Sequence, residues 1–256
     1  MLGDDVESSV AMTTEVHHHT SGSLVMAISL AVTAGFVDAF VYVRVTPVFV
    51  ANMSGNLVHL GIAAGESRLH AVAAALVALA GFVAGVSAAT SHLDRRLRAG
   101  LPSSQTGLLV TESALLVALC VIVAVGHINY SSTIRPGDYL VIVVGSMSMG
   151  CQAVALRRVG QIAVSTTYGT GAIVRLGEKL ALAVRRAARP SDIRRRITIG
   201  VLCAVLTAYV AGAWLATAVG DSPLLLLAPA AIPLAVALTL TRPRVEQELV
   251  GAEPPG

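Results

Sequence analysis

Six stretches of this chain are apolar enough, and nearly all long enough, to cross a lipid bilayer, and that sets its class before any other feature. They are the runs 24–46, 69–91, 105–127, 139–156, 197–219 and 222–241. From Ala71 to Ser91 no charged residue occurs; from Leu24 to Val43 the only one is Asp38, and in the third run the only one is Glu112. The last three runs carry none. A helix needs about 20 apolar residues to span roughly 30 Å of hydrocarbon. With no water in the bilayer core a segment must satisfy its own backbone amides, which continuous runs of this length do as helices. Composition agrees: of 256 residues 55% are hydrophobic and 13% charged, with a mean hydropathy of +0.75. A soluble domain carries about 25% charge; with half of that, too little polar surface remains to cover a water-soluble body. The fold class read from the chain is therefore all-α and polytopic, with six transmembrane helices in one membrane domain over 24–241. Residues 1–23 and 242–256 read as cytoplasmic tails, the first disordered.

The same reasoning excludes other classes. The net charge of +3 comes from short basic clusters between apolar runs, the pattern of cytoplasmic loops rather than of a nucleic-acid surface. Residues 1–23 hold no Lys or Arg, so the apolar run from Leu24 lacks the basic leader of a cleaved signal and reads as a retained helix. His17, His18 and His19 are adjacent in a tail and make no preorganised metal site. Cys120, Cys151 and Cys203 lie inside apolar runs without ligand spacing and read as small buried hydrophobes. No metal or cofactor is expected. Pro223, Pro229 and Pro233 should kink the sixth helix, with neighbours satisfying the freed carbonyls.

Two further stretches, Pro47 to Ala64 and Gln161 to Leu176, are apolar but broken by polar, glycine-bearing centres. Arginine placement bears on whether they cross. With six spans and both stretches entering and leaving by one side, one face carries fifteen of the 18 Lys and Arg residues. Only Arg44, Arg68 and Arg135 remain on the other. With eight spans, Arg95–Arg98 and Arg157–Arg158 change sides and the asymmetry weakens. The positive-inside rule thus favours six, with both termini inside. The basic, mildly amphipathic residues 177–196 suit a helix lying on anionic lipid headgroups; a specific lipid or partner site is the other reading.

The interrupted stretches resemble each other. Ser54-Gly-Asn-Leu-Val-His-Leu-Gly61 aligns without gaps on Thr170-Gly-Ala-Ile-Val-Arg-Leu-Gly177, with four of eight positions identical. Gly35 and Gly150 sit at nearly the same offset, and the order span, interrupted segment, span, span occurs twice. Three spans per half put the second half upside down. The pattern is a 3+3 inverted repeat, about 24–127 and 139–241, whose interrupted segments approach from opposite sides.

The residues that carry chemistry follow from cost. A carboxylate within a span is expensive, about +2.5 to +3.5 kcal/mol on insertion scales, so Asp38 should face the bundle interior. It reads equally as a hydrogen-bonded structural group and as a proton or ion site. Asn52, Ser54, Asn56 and His59 crowd polar groups around Gly55, and Thr167, Tyr168 and Thr170 do the same around Gly169; unwound backbone at membrane depth needs protein or water partners. Glu112 either snorkels to the interface or pairs with an interior group or with Arg95–Arg98, and Gln152 reads as an interhelical hydrogen bond. Gly81-xxx-Gly85 and Ala208-xxx-Gly212 read as close helix contacts. These ten polar residues are the candidate path for a small solute or ion. Ser54-Gly55 partly matches an intramembrane serine hydrolase, but Asn52 stands where the preceding Gly belongs. No HExxH, Walker or CxxC motif occurs, so no enzyme is expected.

Ala34-Gly-Phe-Val-Asp-Ala39, Val48-Phe-Val-Ala-Asn-Met-Ser-Gly-Asn56, Gly150-Cys-Gln152, Leu156-Arg-Arg158 and Val164-Ser-Thr-Thr-Tyr-Gly-Thr-Gly171 resemble the YoaK family, bacterial inner-membrane proteins with a domain of unknown function. The resemblance runs from about 24 to 241 and departs at Ala153, where the family usually has Asn. It implies a multi-span protein of the bacterial plasma membrane and supplies no substrate. Two functions are carried forward. One is a transporter or channel for a small solute or ion; the other is a membrane scaffold or accessory protein acting through the basic segment 177–196. Homo-oligomerisation is left open by the sequence.

Overall fold

The apolar runs become helices wherever the chain is described: residues 24–101, 105–128, 130, 133–157, 169–185, 191–220 and 222–241 of a computed structural model. In chain order these are α1 (Leu24–Arg44), α2 (Met53–Gly65), α3 (Leu69–Arg98) and α4 (Gln105–Val125). Then come α5 (Pro136–Arg157), α6 (Gly169–Arg185) and α7 (Ser191–Ala218). A 3-10 turn, Pro223–Leu226, leads into α8 (Leu227–Thr241). No strand occurs among the described residues. The chain is a multi-pass, all-α membrane protein: α1, α3, α4, α5, the Arg196–Ala218 part of α7, and Pro223–Leu240 are each long and apolar enough to span. The apolar windows of α1 and α5 are 67% and 72% buried inside the protein, against 33% for α3 and α7. The first helix of each sequence half therefore forms the bundle centre, and the others face lipid with residues such as Val83, Val121, Val210 and Leu238.

Glycines set how closely the central helices approach. A Cβ on Gly35 of α1 would run into the Tyr209 carbonyl of α7, and one on Gly212 into the Val32 carbonyl of α1. In α5, a Cβ on Gly150 would meet the Phe82 carbonyl of α3, and one on Gly85 the Met147 carbonyl. Both contacts bring backbone onto backbone, which only small residues permit. They also bear out the close-contact reading of Gly85 and Gly212.

Helix directions follow from who meets whom. The N-terminal parts of α1 and α7 share a cluster (Met26, Ala27, Val201, Val205), and at the other ends Arg44 donates to the Ala216 and Val219 carbonyls. These helices are parallel, and Arg44 caps the α7 C-terminus. Across α4 and α8 the order reverses: Ser113 donates to the Ala230 carbonyl while Cys120 donates to that of Pro223. Antiparallel α4 and α8 require an odd number of membrane passes from one to the other. Passes through α5, α7 and α8 satisfy that, and a further one by α6 does not. Parallel α1 and α7 then leave α2 without a pass as well. At 13 residues, α2 is only about 20 Å long, short of the hydrocarbon thickness.

Local chemistry sets the helix ends. Pro136 opens α5, and Asp138 one turn in accepts from the Arg135 amide at 2.8 Å, an anion on the positive end of the helix dipole. Gly100, with φ of +68°, ends α3 in the left-handed region, which glycine adopts without strain.

Candidate functional site: two carboxylates beside one helix

Between α1 and α2 the chain leaves the helix at Val45 and runs without regular structure to Asn52. This segment folds back into the protein. Val48 packs with Ala74 and Ala78 of α3 and Ile142 of α5, and Val50 lies against Gly145 of α5. Three successive amides of its last residues point at one side chain. Asp38 Oδ1 accepts from the Val50 and Ala51 amides at 2.6 and 2.7 Å, and Oδ2 from the Asn52 amide at 3.0 Å. The Tyr209 hydroxyl of α7 adds a fourth bond to Oδ2 at 2.6 Å. Amides only donate, so the carboxyl, 2% exposed, acts as acceptor to a concave nest of N–H groups at the amino end of α2. Its acceptor capacity is used up.

The polar motif that follows builds the same element. Asn52 caps α2: its Oδ1 accepts from the Gly55 amide and from Ser54 Oγ, the usual N-cap arrangement. Asn56 is fully buried and clamps Phe49 from both sides, donating to its carbonyl at 2.6 Å and accepting from its amide at 3.0 Å. A Cβ on Gly55 would press the Phe49 ring. His59 tilts against Phe49 and Tyr42, which stack with ring centroids 4.5 Å apart. The side chains of Asn52 and Asn56 are thus engaged within the segment, Ser54 is exposed and His59 half-buried.

The second carboxylate lies on the other side of the α1–α7 crossing. Glu112 of α4 is completely buried, so it does not snorkel. Its Oε1 accepts from Gln152 Nε2 of α5 at 2.9 Å, and the same amide group donates to the Leu30 carbonyl of α1 at 3.0 Å. Ser148, one turn earlier on α5, donates to the Glu112 carbonyl. Leu30 and Asp38 are eight residues apart on α1, roughly 12 Å along its axis. Two carboxylates therefore sit at two depths beside one helix. Among the described residues neither forms an ion pair, and no three His, Cys, Asp or Glu side chains gather to hold a metal.

The structure gathers Asp38, Asn52, Ser54 and Asn56 around one centre, with His59 at its edge, and Glu112 with Gln152 at another. Thr167 and Tyr168 lie outside the described residues, and of Thr170 only the helical backbone is described. Sequence reasoning missed Tyr209. Its signal was a hydroxyl within an uncharged span, which needs a partner.

Residues 26–240 match DUF1275, a family described as proteins of unknown function. The chain belongs to that family. It is 34% identical over 170 residues to the UPF0700 transmembrane protein YoaK of Bacillus subtilis (strain 168), covering 66% of this chain and 70% of that protein. No solved structure matches. The matched region holds both carboxylates, the α2 segment and every span, so the resemblance read from the Asn52–Asn56 motif is borne out at the level of the family.

Proposed function

We propose that this family member is a small secondary transporter or channel for a small solute or ion. In this reading it is built as two inverted halves in a bacterial plasma membrane, with both termini cytoplasmic. The observation that carries the reading is the α2 segment. A half-length helix that packs on α3, its amino end docked on a carboxylate inside a span and preceded by a non-helical stretch buried against α3 and α5, is the kind of broken element from which transporters build their sites. Helix pairing supports the inverted halves. The first helix of each half packs, glycine to backbone, on a helix of the other half, α1 on α7 and α5 on α3. The two last helices, α4 and α8, run antiparallel. At the offset that relates Gly35 to Gly150, Asp38 corresponds to Ala153; at the offset that relates Gly85 to Gly212, Tyr209 corresponds to Phe82. The pair equivalent to Asp38 and Tyr209 is thus Ala153 of α5 and Phe82 of α3, both apolar, and the polar groups nearest it are Gln152 and its partner Glu112.

Purified protein in proteoliposomes, offered a panel of amino acids, sugars, organic anions and monovalent cations, tests this. The reading expects uptake of at least one class above empty vesicles, abolished in a folded Asp38→Asn variant. Equal leakage in both proteins for every class would sink it.

The scaffold reading keeps one supporting observation. In α6, Ile173, Val174 and Leu180 are exposed beside Arg175, which suits a helix lying on anionic headgroups. Neutralising Arg185, Arg186, Arg189 and Arg194–Arg196 without functional effect would discard it.

A further inference from the structure

Gln152 has no freedom in how its amide is placed. The Leu30 carbonyl that it contacts can only accept, so the nitrogen must face that carbonyl at 3.0 Å, and the same nitrogen reaches Glu112 Oε1 at 2.9 Å. Glu112 is then left with its second oxygen and Gln152 with its only one. Among the described residues Glu112 Oε2 and Gln152 Oε1 are both buried with no donor within reach, although both side chains are completely shielded from solvent. Two unpartnered acceptors in an apolar span are costly, and Asp38, on the same helix wall, shows the contrasting case with four donors. Among the described residues nothing opposite supplies a counter-charge. From α5 the titratable neighbour is the Cys151 thiol, with exposed Arg157 at the helix end. From α1 it is Asp38, two turns away and already engaged. From α3, His92 lies beside Gly107, more than a turn from Glu112 along α4. The α8 helix carries no titratable side chain from Leu227 to Thr241.

The geometry points to Glu112 and Gln152 as a proton-binding site, an acid–amide pair at the junction of α1, α4 and α5 that carries one exchangeable proton. Adding a proton to the Glu112 carboxylate makes Oε2 a hydroxyl donor while Oε1 goes on accepting from Gln152 Nε2. The neutral acid offers its hydrogen toward the one unpartnered acceptor of its neighbour, Gln152 Oε1. No electron moves; the step is O⁻ plus H⁺ giving O–H, reversed when the site opens to water. The inference goes beyond the transport reading and does not require it, because the proton is detected without any flux.

The test is infrared difference spectroscopy of the whole protein in lipid nanodiscs at neutral pH, in H₂O and D₂O. The expected result is the carbonyl stretch of a protonated carboxylic acid that shifts down in D₂O and shifts on ¹³C-glutamate labelling but not on ¹³C-aspartate labelling. It should vanish in Glu112→Gln and move up in Gln152→Leu, where the hydrogen-bonding amide is gone. Absence of the band from wild-type protein overturns the proposal. So does its persistence in Glu112→Gln, or its loss on adding Na⁺ or K⁺ at constant pH, which would make a metal cation the occupant. If Glu112→Gln does not fold, the two isotope labels in wild-type protein decide alone. A wild type that shows the band yet moves no solute leaves the proton site standing and removes the transport reading.

Discussion

Asp38, on α1, and Glu112, tied to α1 through Gln152, are both carboxylates buried in spans, and both lack an ion-pair partner among the described residues. Their surroundings differ in kind. Asp38 takes four hydrogen bonds, three of them from consecutive amides of a segment that follows it closely in sequence. Glu112 takes one, from an amide that is itself half-engaged. The difference teaches that burial of a charge says little about its role until its donors are counted. A saturated carboxylate fastens structure, and an unsaturated one leaves room for a proton.

Mutations that touch α1 should separate these roles. Gly35→Leu is expected to do most damage, because even a Cβ there would run into the Tyr209 backbone and both sites hang on α1. Gel filtration in detergent should show little folded protein, while Gly61→Ala, with nothing within 4 Å, should behave as wild type. Asp38→Ala comes next. It leaves three amides and a phenol unpaired, each costing about 1–3 kcal/mol, and should lower thermal stability by about 4 kcal/mol or more. Asp38→Asn keeps one acceptor oxygen for Val50 and Ala51 but turns a donor toward the Asn52 amide, so about half that loss is expected. Tyr209→Phe removes a single bond to a carboxyl and should cost about 1.5–3 kcal/mol in the same melt. Glu112→Gln is the mildest, within about 1 kcal/mol of wild type, since an amide can return the hydrogen bond to Gln152. A loss as large as that of Asp38→Ala would mean that Glu112 also fastens structure, and the contrast between the two sites would fail.

Much of the fold was legible because the bilayer imposes its demand on runs of sequence. A charge-free stretch such as 71–91 has few fates, and the helix covering it is where it was expected. Its end was not: α3 continues to Arg98, because a helix entering water may carry Arg and Asp and is then supported by pairs such as Asp94–Arg98. Likewise α7 begins at Ser191 rather than 197. At the site, the cost of burying charge marked Asp38 and Glu112 one at a time. Their partners were hidden, since Tyr209 lies 171 residues from Asp38 and Gln152 lies 40 from Glu112, and hydrophobic patterning carries no record of such pairings. The Asn52–Asn56 motif was legible as polar groups around a break, but not as a cap and a clamp, which depend on how Phe49 folds back.

The most direct test of the account is whether the α2 segment enters and leaves by one face of the membrane, held there by Asp38. In a variant lacking the native cysteines, Pro47→Cys and Glu66→Cys bracket the segment, and each is challenged in intact vesicles of known orientation with a membrane-impermeant maleimide. The account predicts labelling of both from the same side. Labelling from opposite sides would make α2 a membrane-crossing helix and contradict the six-span arrangement on which both sites depend.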